Sequence, residues 1–286
     1  MKLGLVRKDG GIVKLNPFWD LGFALTLISI AFWYWRENPA SHKIATWRRI
    51  LFSVALFLAF VVLVGPVPHI AVRLFWVHMV QHILLMMLIS PMLILGSPFK
   101  ILLNSRFARF QALSRVFAAN SGLRSLFRPQ VGFLIFLATL IATHFSPLAD
   151  AGMVNANVHC FELILFLLAG IIYYYPVLDG NPTPFPVPYA LRLGSLFAMM
   201  LPETMTGFFL YSGNKLLHQV SMADMGSPAK ISPLRDQHTG GALMWAMGML
   251  IDSMWVVLAA RDWFAHEKRM AEAEDLVNIE SGENTP

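Results

Sequence analysis

The fold of this chain follows from residues 74–99, LFWVHMVQHILLMMLISPMLILGSPF. These 26 residues contain no Asp, Glu, Lys or Arg. At about 1.5 Å per residue, a helix of this length would extend about 39 Å, which exceeds the roughly 30 Å hydrocarbon core of a bilayer. The stretch therefore predicts a helix that crosses a membrane.

The composition of the whole chain agrees with a membrane protein. Apolar residues make up 56% of the 286 residues and charged residues only 14%, whereas soluble domains carry about 25% charge. The single cysteine, Cys160, excludes an internal disulfide and any multi-cysteine zinc or iron–sulfur site. No nucleic-acid module, phosphate-binding glycine loop or Ser-His-Asp arrangement stands out. We therefore predict neither a nucleic-acid partner nor an enzyme.

Six further apolar stretches are also predicted to be helices that cross the membrane. The seven predicted spans are residues 18–35, 51–65, 74–96, 131–145, 154–175, 189–211 and 241–260. The predicted fold class is therefore an all-α, polytopic membrane protein, a bundle of seven transmembrane helices. We divide the chain into an N-terminal segment (1–16), the transmembrane domain (17–265) and a polar tail (266–286), which we expect to be disordered.

Basic residues indicate the orientation of this bundle. With the N-terminus outside, 14 of the 22 Lys and Arg residues fall on the cytoplasmic side and eight fall outside. The connection 97–130 alone contributes six basic and no acidic residues. Because basic loops are retained on the cytoplasmic side, we expect the N-terminus outside and the C-terminus in the cytoplasm.

Histidines collect toward the outer face of the predicted bundle. Seven of the nine lie in or beside the outer ends of the spans, namely His69, His78, His82, His144, His159, His218 and His238. An imidazole in hydrocarbon is costly unless a neighbouring helix, water or a metal satisfies it. These residues therefore predict one site, or one water-filled vestibule, on that side.

His78 and His82 form the sharpest motif, because residues four apart on a helix present their side chains to one side. Two such imidazoles can bind one metal ion, with the sulfur of Met86 one turn further along. The alternative is that both rings hydrogen-bond to backbone carbonyls and neighbouring helices, with Gln81 as a further polar partner. The residues alone leave both interpretations open.

His159 and Glu162 share one face of the fifth predicted span. A carboxylate at mid-membrane costs about 2.5 to 3.5 kcal/mol, so it should be neutral, paired or coordinating. In one interpretation Glu162 fixes the tautomer of an imidazole, and in the other it is a protonated acid bonded to a neighbouring helix. Cys160 is interpreted as a packing residue.

The segment 236–241, DQHTGG, opens the last predicted span. Asp236 either caps a helix, beside glycines that let another helix approach, or joins the vestibule together with His238. The connection that precedes it, residues 212–239, is long enough to be functional in its own right.

The chain's 16 methionines narrow the choice of ion. Thioether and imidazole together suit Cu(I), whereas hard ions prefer oxygen and structural zinc prefers thiolates. The alternative is that the methionines fill the apolar interior. Copper held transiently as Cu(I) is the predicted ligand.

Five motifs, in this order, carry a resemblance to a known family: HMVQH (78–82), GSP (96–98), THFSP (143–147), HCFE (159–162) and DQHTGG (236–241). Over residues 72–263 the chain resembles the seven-helix bacterial CtaG family of cytochrome c oxidase assembly factors. The resemblance implies a multi-pass protein of the bacterial cytoplasmic membrane that helps to assemble a haem–copper oxidase and supplies its copper. By position, it implies four metal ligands, namely His78, His82, His144 and His159. The family often has a histidine directly after the glutamate, where this chain has Leu163.

We therefore predict an assembly factor that binds Cu(I) in an outward-facing intramembrane site and delivers it to the oxidase catalytic subunit. His78 and His82 are the predicted primary pair, and His144 and His159 complete the site. The predicted auxiliary residues are Glu162, Met86, Asp236 and His238. An extracytoplasmic copper donor and the lipid bilayer are the other expected partners. The alternatives are a metal-free scaffold for oxidase subunits and a membrane redox protein with haem b between histidine ligands.

Overall fold

Every element of regular secondary structure in the part of the chain that the structure describes is a helix, which confirms the all-α prediction. The computed structural model describes residues 17–37, 44–64, 66–71, 73–105, 107–178, 182–183, 185–217 and 231–281. The helices are α1 (Pro17–Arg36), α2 (Thr46–Leu63), α3 (Pro66–Ala71), α4 (Phe75–Ile83), a π-helix (Leu84–Ile89), α5 (Ser90–Leu95), α6 (Pro98–Leu103), α7 (Ala108–Ala119), α8 (Ser121–Leu126), α9 (Pro129–Phe145), α10 (Pro147–Val154), α11 (Ala156–Val177), α12 (Tyr189–Ser212) and α13 (Pro233–Ser281).

Six helical stretches in the described residues are long and apolar enough to cross a membrane, and they match six of the predicted spans. The remaining prediction, residues 131–145, falls on α9. Its 17 residues would extend about 26 Å, less than the roughly 30 Å hydrocarbon core. α9 and α10 are apolar and long enough together to count as a seventh span if the pair, bent by 67°, crosses as one. The bend lies at Ser146 and Pro147, because proline has no N–H to continue the helix.

The third span, which runs from α4 through the π-helix to α5, lies at the centre of the bundle. In its most apolar stretch 78% of the residues are buried, whereas in that of α1, at the periphery, 6% are buried. α11 packs against the π-helix and α5, and α13 packs against α4. A span enclosed in this way presents its polar side chains to other helices rather than to lipid.

The π-helix interrupts the third span at residues 84–89, and hydrogen bonds from two side chains stabilise it. Such segments are short, contain i to i+5 hydrogen bonds and are frequent at functional sites. The Ser90 hydroxyl donates to the Leu85 carbonyl, and Trp255 Nε1 donates to the Met87 carbonyl, both at 2.7 Å. Gly170 of α11 allows the close approach, since a Cβ there would lie 2.6 Å from Ser90 Oγ.

Two glycines bring α12 and α13 together. A Cβ on Gly207 would lie 2.8 Å from the backbone nitrogen of Trp245 and 3.0 Å from the carbonyl oxygen of Gly241. Contacts of this length leave no room for a larger side chain. The close helix approach predicted from the glycines of the segment 236–241 is therefore present, and it positions the start of α13 beside the end of α12.

The last helix extends further than the sequence predicts. The polar segment after His266, expected to be disordered, is helical as far as Ser281. Its Ala, Glu, Lys, Met and Arg residues favour helix strongly, and Lys268 and Glu272 pair one turn apart at 3.7 Å.

Several predictions concern positions about which the structure gives no description. The N-terminal segment 1–16 and residues 218–230 of the connection 212–239, including His218, lie outside the described residues. The side chain of His69 lies outside them as well. Which end of the bundle faces the cytoplasm stays a prediction.

Candidate metal centre

Four buried side chains form a compact group between α4 and α11. They are His78 and His82 of α4, and His159 and Glu162 of α11. Each offers one potential ligand atom, and these atoms all lie within 4.8 Å of one another. All four residues are 5% exposed or less. This group, called the histidine cluster below, has the residue types of a metal site.

Helical spacing brings the three rings together. His78 and His82 are one turn apart on α4, and their ring centroids are separated by 4.1 Å. His159 stacks on His78 with the centroids 4.6 Å apart, and its centroid lies 6.0 Å from that of His82. Phe166 closes one side of the His82 ring at 4.1 Å. The structure thus brings together three of the four predicted ligand histidines.

Gln81 orients the ring of His159. The Gln81 amide nitrogen donates to the Val62 carbonyl at 2.7 Å, so its amide oxygen is left to accept a hydrogen bond from His159 Nε2 at 3.2 Å. His159 is therefore protonated on Nε2 and carries its lone pair on Nδ1. Gln81, rather than Glu162, fixes this tautomer.

Five polar atoms of the histidine cluster make no hydrogen bond. They are both ring nitrogens of His82, Nδ1 of His159 and both carboxylate oxygens of Glu162. Neither interpretation of Glu162 made from the sequence therefore describes its contacts. Each unsatisfied buried polar atom costs about 1 to 3 kcal/mol. A cation shared by these atoms would satisfy several of them at once.

The spacing of the atoms is close to that of a coordination sphere. Two ligands about 2.1 Å from a tetrahedral ion lie about 3.4 Å apart. His159 Nδ1 and Glu162 Oε2 are 3.9 Å apart, so small side-chain rotations bring them into this range. Gly152 of α10 leaves room for the carboxylate, because a Cβ on this residue would overlap with Glu162 Oε2.

His144 lies beside the histidine cluster rather than in it. Its ring centroid is 6.3 Å from that of His82. Nδ1 lies 2.8 Å from the Leu140 carbonyl, which can only accept, so Nε2 carries the lone pair. His144 lines a small cavity of about 20 Å³ together with His82 and Met86. The structure therefore groups the fourth predicted ligand with the predicted sulfur.

Asp236 and His238 stabilise helix packing and are not part of the histidine cluster. The Asp236 carboxylate accepts hydrogen bonds from the backbone N–H groups of Phe75 at 2.8 Å and Trp76 at 3.0 Å. It thereby caps α4 rather than its own helix. His238 Nε2 bonds to the Gly213 carbonyl at 2.8 Å. Asp236 thus caps α4, whereas the sequence interpretation had it cap the start of its own helix.

Three residues beside the site were not predicted. Gly152 has no sequence signal, because a single glycine in a short helix is ordinary. Met244 and Glu203 line the same small cavity as His144. Glu203 is an acid in an apolar stretch, which marks it as a functional candidate. The sequence does not indicate which other span its side chain contacts.

The chain matches a family model over residues 28–266, and the description of that family is cytochrome c oxidase caa3 assembly factor. It is also 29% identical over 211 residues to uncharacterized proteins of Mycobacterium bovis and Mycobacterium tuberculosis, and 29% identical over 209 residues to one of Mycobacterium leprae. Each alignment covers 71% of this chain and 32% of the relative, so the chain spans less than half the length of these relatives. No solved structure matches it. The chain belongs to the family of cytochrome c oxidase caa3 assembly factors.

Proposed function

We propose that this chain assembles its oxidase by holding one Cu(I) ion in the histidine cluster and delivering it to the oxidase catalytic subunit. The observation that carries the proposal is the convergence of His78, His82, His159 and Glu162, buried and within 4.8 Å of one another. The unsatisfied nitrogens of His82 and His159 and the carboxylate oxygens of Glu162 add support, since a cation is the simplest ligand that satisfies lone pairs from several side chains.

The ligand set suits a monovalent copper ion inside a membrane. Three neutral imidazoles and one carboxylate around Cu(I) give a complex with no net charge, which reduces the cost of burial in a low dielectric. Imidazole binds copper well, and the four residues include no thiolate. An ion held without thiolates can be passed on to stronger sites, as delivery requires.

The position of the histidine cluster also suits exchange at one membrane face. His78 lies in the first turn of α4, and His159 and Glu162 lie in the first two turns of α11. With the proposed orientation, this end of the bundle faces the outside of the bacterial cytoplasmic membrane. An extracytoplasmic donor would load the ion there, and the oxidase catalytic subunit would receive it.

The geometry argues against haem b as the ligand. The rings of His78 and His159 stack with their centroids 4.6 Å apart, which leaves no room for a macrocycle between them. The cavity beside His82 has a volume of about 20 Å³, enough for one water-sized guest.

Metal analysis of purified protein tests the proposal. After anaerobic loading with Cu(I), we expect one copper per protein in the histidine cluster of the wild type and none at that position in His78→Ala/His82→Ala. The matched control is His238→Ala/His266→Ala, which removes two histidines outside the cluster and should retain copper. Equal copper in the wild type and the cluster variant would contradict the proposal.

Oxidase assembly in cells separates delivery from a metal-free scaffold. If copper delivery is the function, the cluster variant accumulates in the membrane but leaves the oxidase without its copper and inactive. If the protein acts as a scaffold, the same variant supports full oxidase activity. The control variant should behave as the wild type in both cases.

A further inference from the structure

A small cavity lies deeper in the bundle, next to the histidine cluster. Its volume is about 20 Å³, which is enough for one water or one ion. Side chains from several spans line it, including His82, Met86, His144, Glu203 and Met244. The cavity therefore touches the histidine cluster through His82 and reaches across the bundle to α12 and α13.

The lining of the cavity differs in chemistry from the histidine cluster. Met86, Met87 and Met244 supply thioethers, whereas none of the four cluster residues contains sulfur. His144 adds an imidazole whose Nδ1 is bonded to the Leu140 carbonyl, so that Nε2 holds the lone pair. Thioethers and an imidazole are soft, neutral ligands of the kind that select Cu(I) over hard divalent ions.

Glu203 provides an independent indication of a cation. It is 3% exposed, and no N–H or hydroxyl group of the described residues donates to its carboxylate oxygens. The neighbouring Asp252 of α13 is a second buried acid, and the two carboxyl groups hydrogen-bond to each other only when they share a proton. Two adjacent carboxyl groups within a membrane require a proton or a cation to compensate their charge. A cation in the cavity would provide this compensation.

We propose that this cavity is a second Cu(I) position, with Met86, Met244 and His144 as ligands and Glu203 as the compensating charge. The inference rests on the proposed function, because it extends the route of the same ion. His82 belongs to both positions, and both of its ring nitrogens are unpartnered, so an ion passes between the two positions through this residue.

Copper K-edge X-ray absorption on the purified, full-length protein tests the inference, because sulfur ligands identify the deeper position. After anaerobic loading with excess Cu(I), we expect two coppers per protein and a copper–sulfur contribution to the spectrum. Met86→Leu/Met87→Leu/Met244→Leu, which removes every methionine that lines the cavity, should bind one copper and lose the sulfur contribution. These substitutions conserve volume, so the protein should remain folded.

Two further variants sharpen the test. Met79→Leu/Met92→Leu is the matched control, since both methionines are buried in the same span but neither lines the cavity. It should keep two coppers and the sulfur signal. Glu203→Gln should lower the affinity for the sulfur-bound copper about tenfold, because the substitution removes the compensating negative charge.

The outcomes separate this inference from the proposed function. One copper with only nitrogen and oxygen ligands, unchanged in Met86→Leu/Met87→Leu/Met244→Leu, would overturn the second position and leave the histidine cluster intact. Conversely, a sulfur-bound copper that persists in His78→Ala/His159→Ala would support the deeper position even in a variant that has lost the cluster. A wild type that binds no copper would contradict both.

Discussion

Two polar regions at the same end of the bundle are both largely buried but differ in their hydrogen bonds. In the first residues of α13, Asp236 accepts two backbone N–H bonds, Gln237 bonds to three backbone groups and His238 bonds to a carbonyl. In the histidine cluster, His82 and Glu162 make no hydrogen bonds at all.

The difference indicates which buried polar residues are structural. A group whose lone pairs and protons are matched by backbone partners contributes to stability, whereas an unmatched buried group costs free energy. Proteins retain such a cost at functional sites, where a ligand compensates it. Both regions carry histidine and an acid in an apolar chain, so residue type alone cannot distinguish them.

The largest effect is expected at His82, where one substitution should lower copper affinity strongly without lowering stability. His82→Leu removes a proposed ligand and should lower copper affinity by about 100-fold or more. The same change removes two unsatisfied nitrogens from an apolar surrounding, so the melting temperature without metal should stay the same or rise. Metal titration and thermal unfolding of the purified protein measure both. A copper-free His82→Leu protein that unfolds well below the wild type would show that the cluster is structural.

Asp236→Ala should have the opposite result, namely lower stability with unchanged copper binding. It leaves the N–H groups of Phe75 and Trp76 without their acceptor and removes the link between α4 and α13. We expect a loss of about 2 to 3 kcal/mol in the free energy of unfolding, with copper per folded protein unchanged. Asp236→Asn keeps one acceptor and should lose less. Loss of copper at full stability would place Asp236 in the metal site.

Two buried glutamines, Gln81 and Gln237, allow a matched comparison. Gln81→Leu frees the ring of His159 from its fixed tautomer and should lower copper affinity by about 10-fold to 100-fold. Gln237→Leu removes hydrogen bonds to Leu210 and Lys215 and should lower stability without affecting copper. Equal effects of the two changes on copper affinity would remove the distinction between the regions.

The sequence predicted the spans and the meeting of His78, His82 and His159 because both follow from short-range rules. Apolar length fixes a membrane helix, and a four-residue spacing fixes a shared face. Because alternate spans of a bundle run in the same direction, histidines near the starts of the third and fifth spans lie at the same end of the bundle.

The contacts of each polar group could not be predicted, because they depend on helices distant in sequence. Asp236 finds its partners 161 and 160 residues away, and the π-helix at residues 84–89 depends in part on Trp255 of α13. The displacement of His144 from the cluster is another example, since helical periodicity says nothing about the depth at which two spans align. Residue patterns thus predict candidates, and tertiary packing decides which of them are satisfied.

The smallest effect is expected from a residue that has no polar side chain. In Gly152→Ala the added methyl group would overlap with Glu162 Oε2, so the carboxylate must move away from His159 Nδ1. Because imidazole ligands remain, copper affinity should fall by only about tenfold. Gly194→Ala is the control, since a Cβ there has no other atom within 4 Å, and it should leave affinity unchanged. If both variants bind copper as the wild type does, Glu162 is not a ligand, and the site reduces to its three histidines.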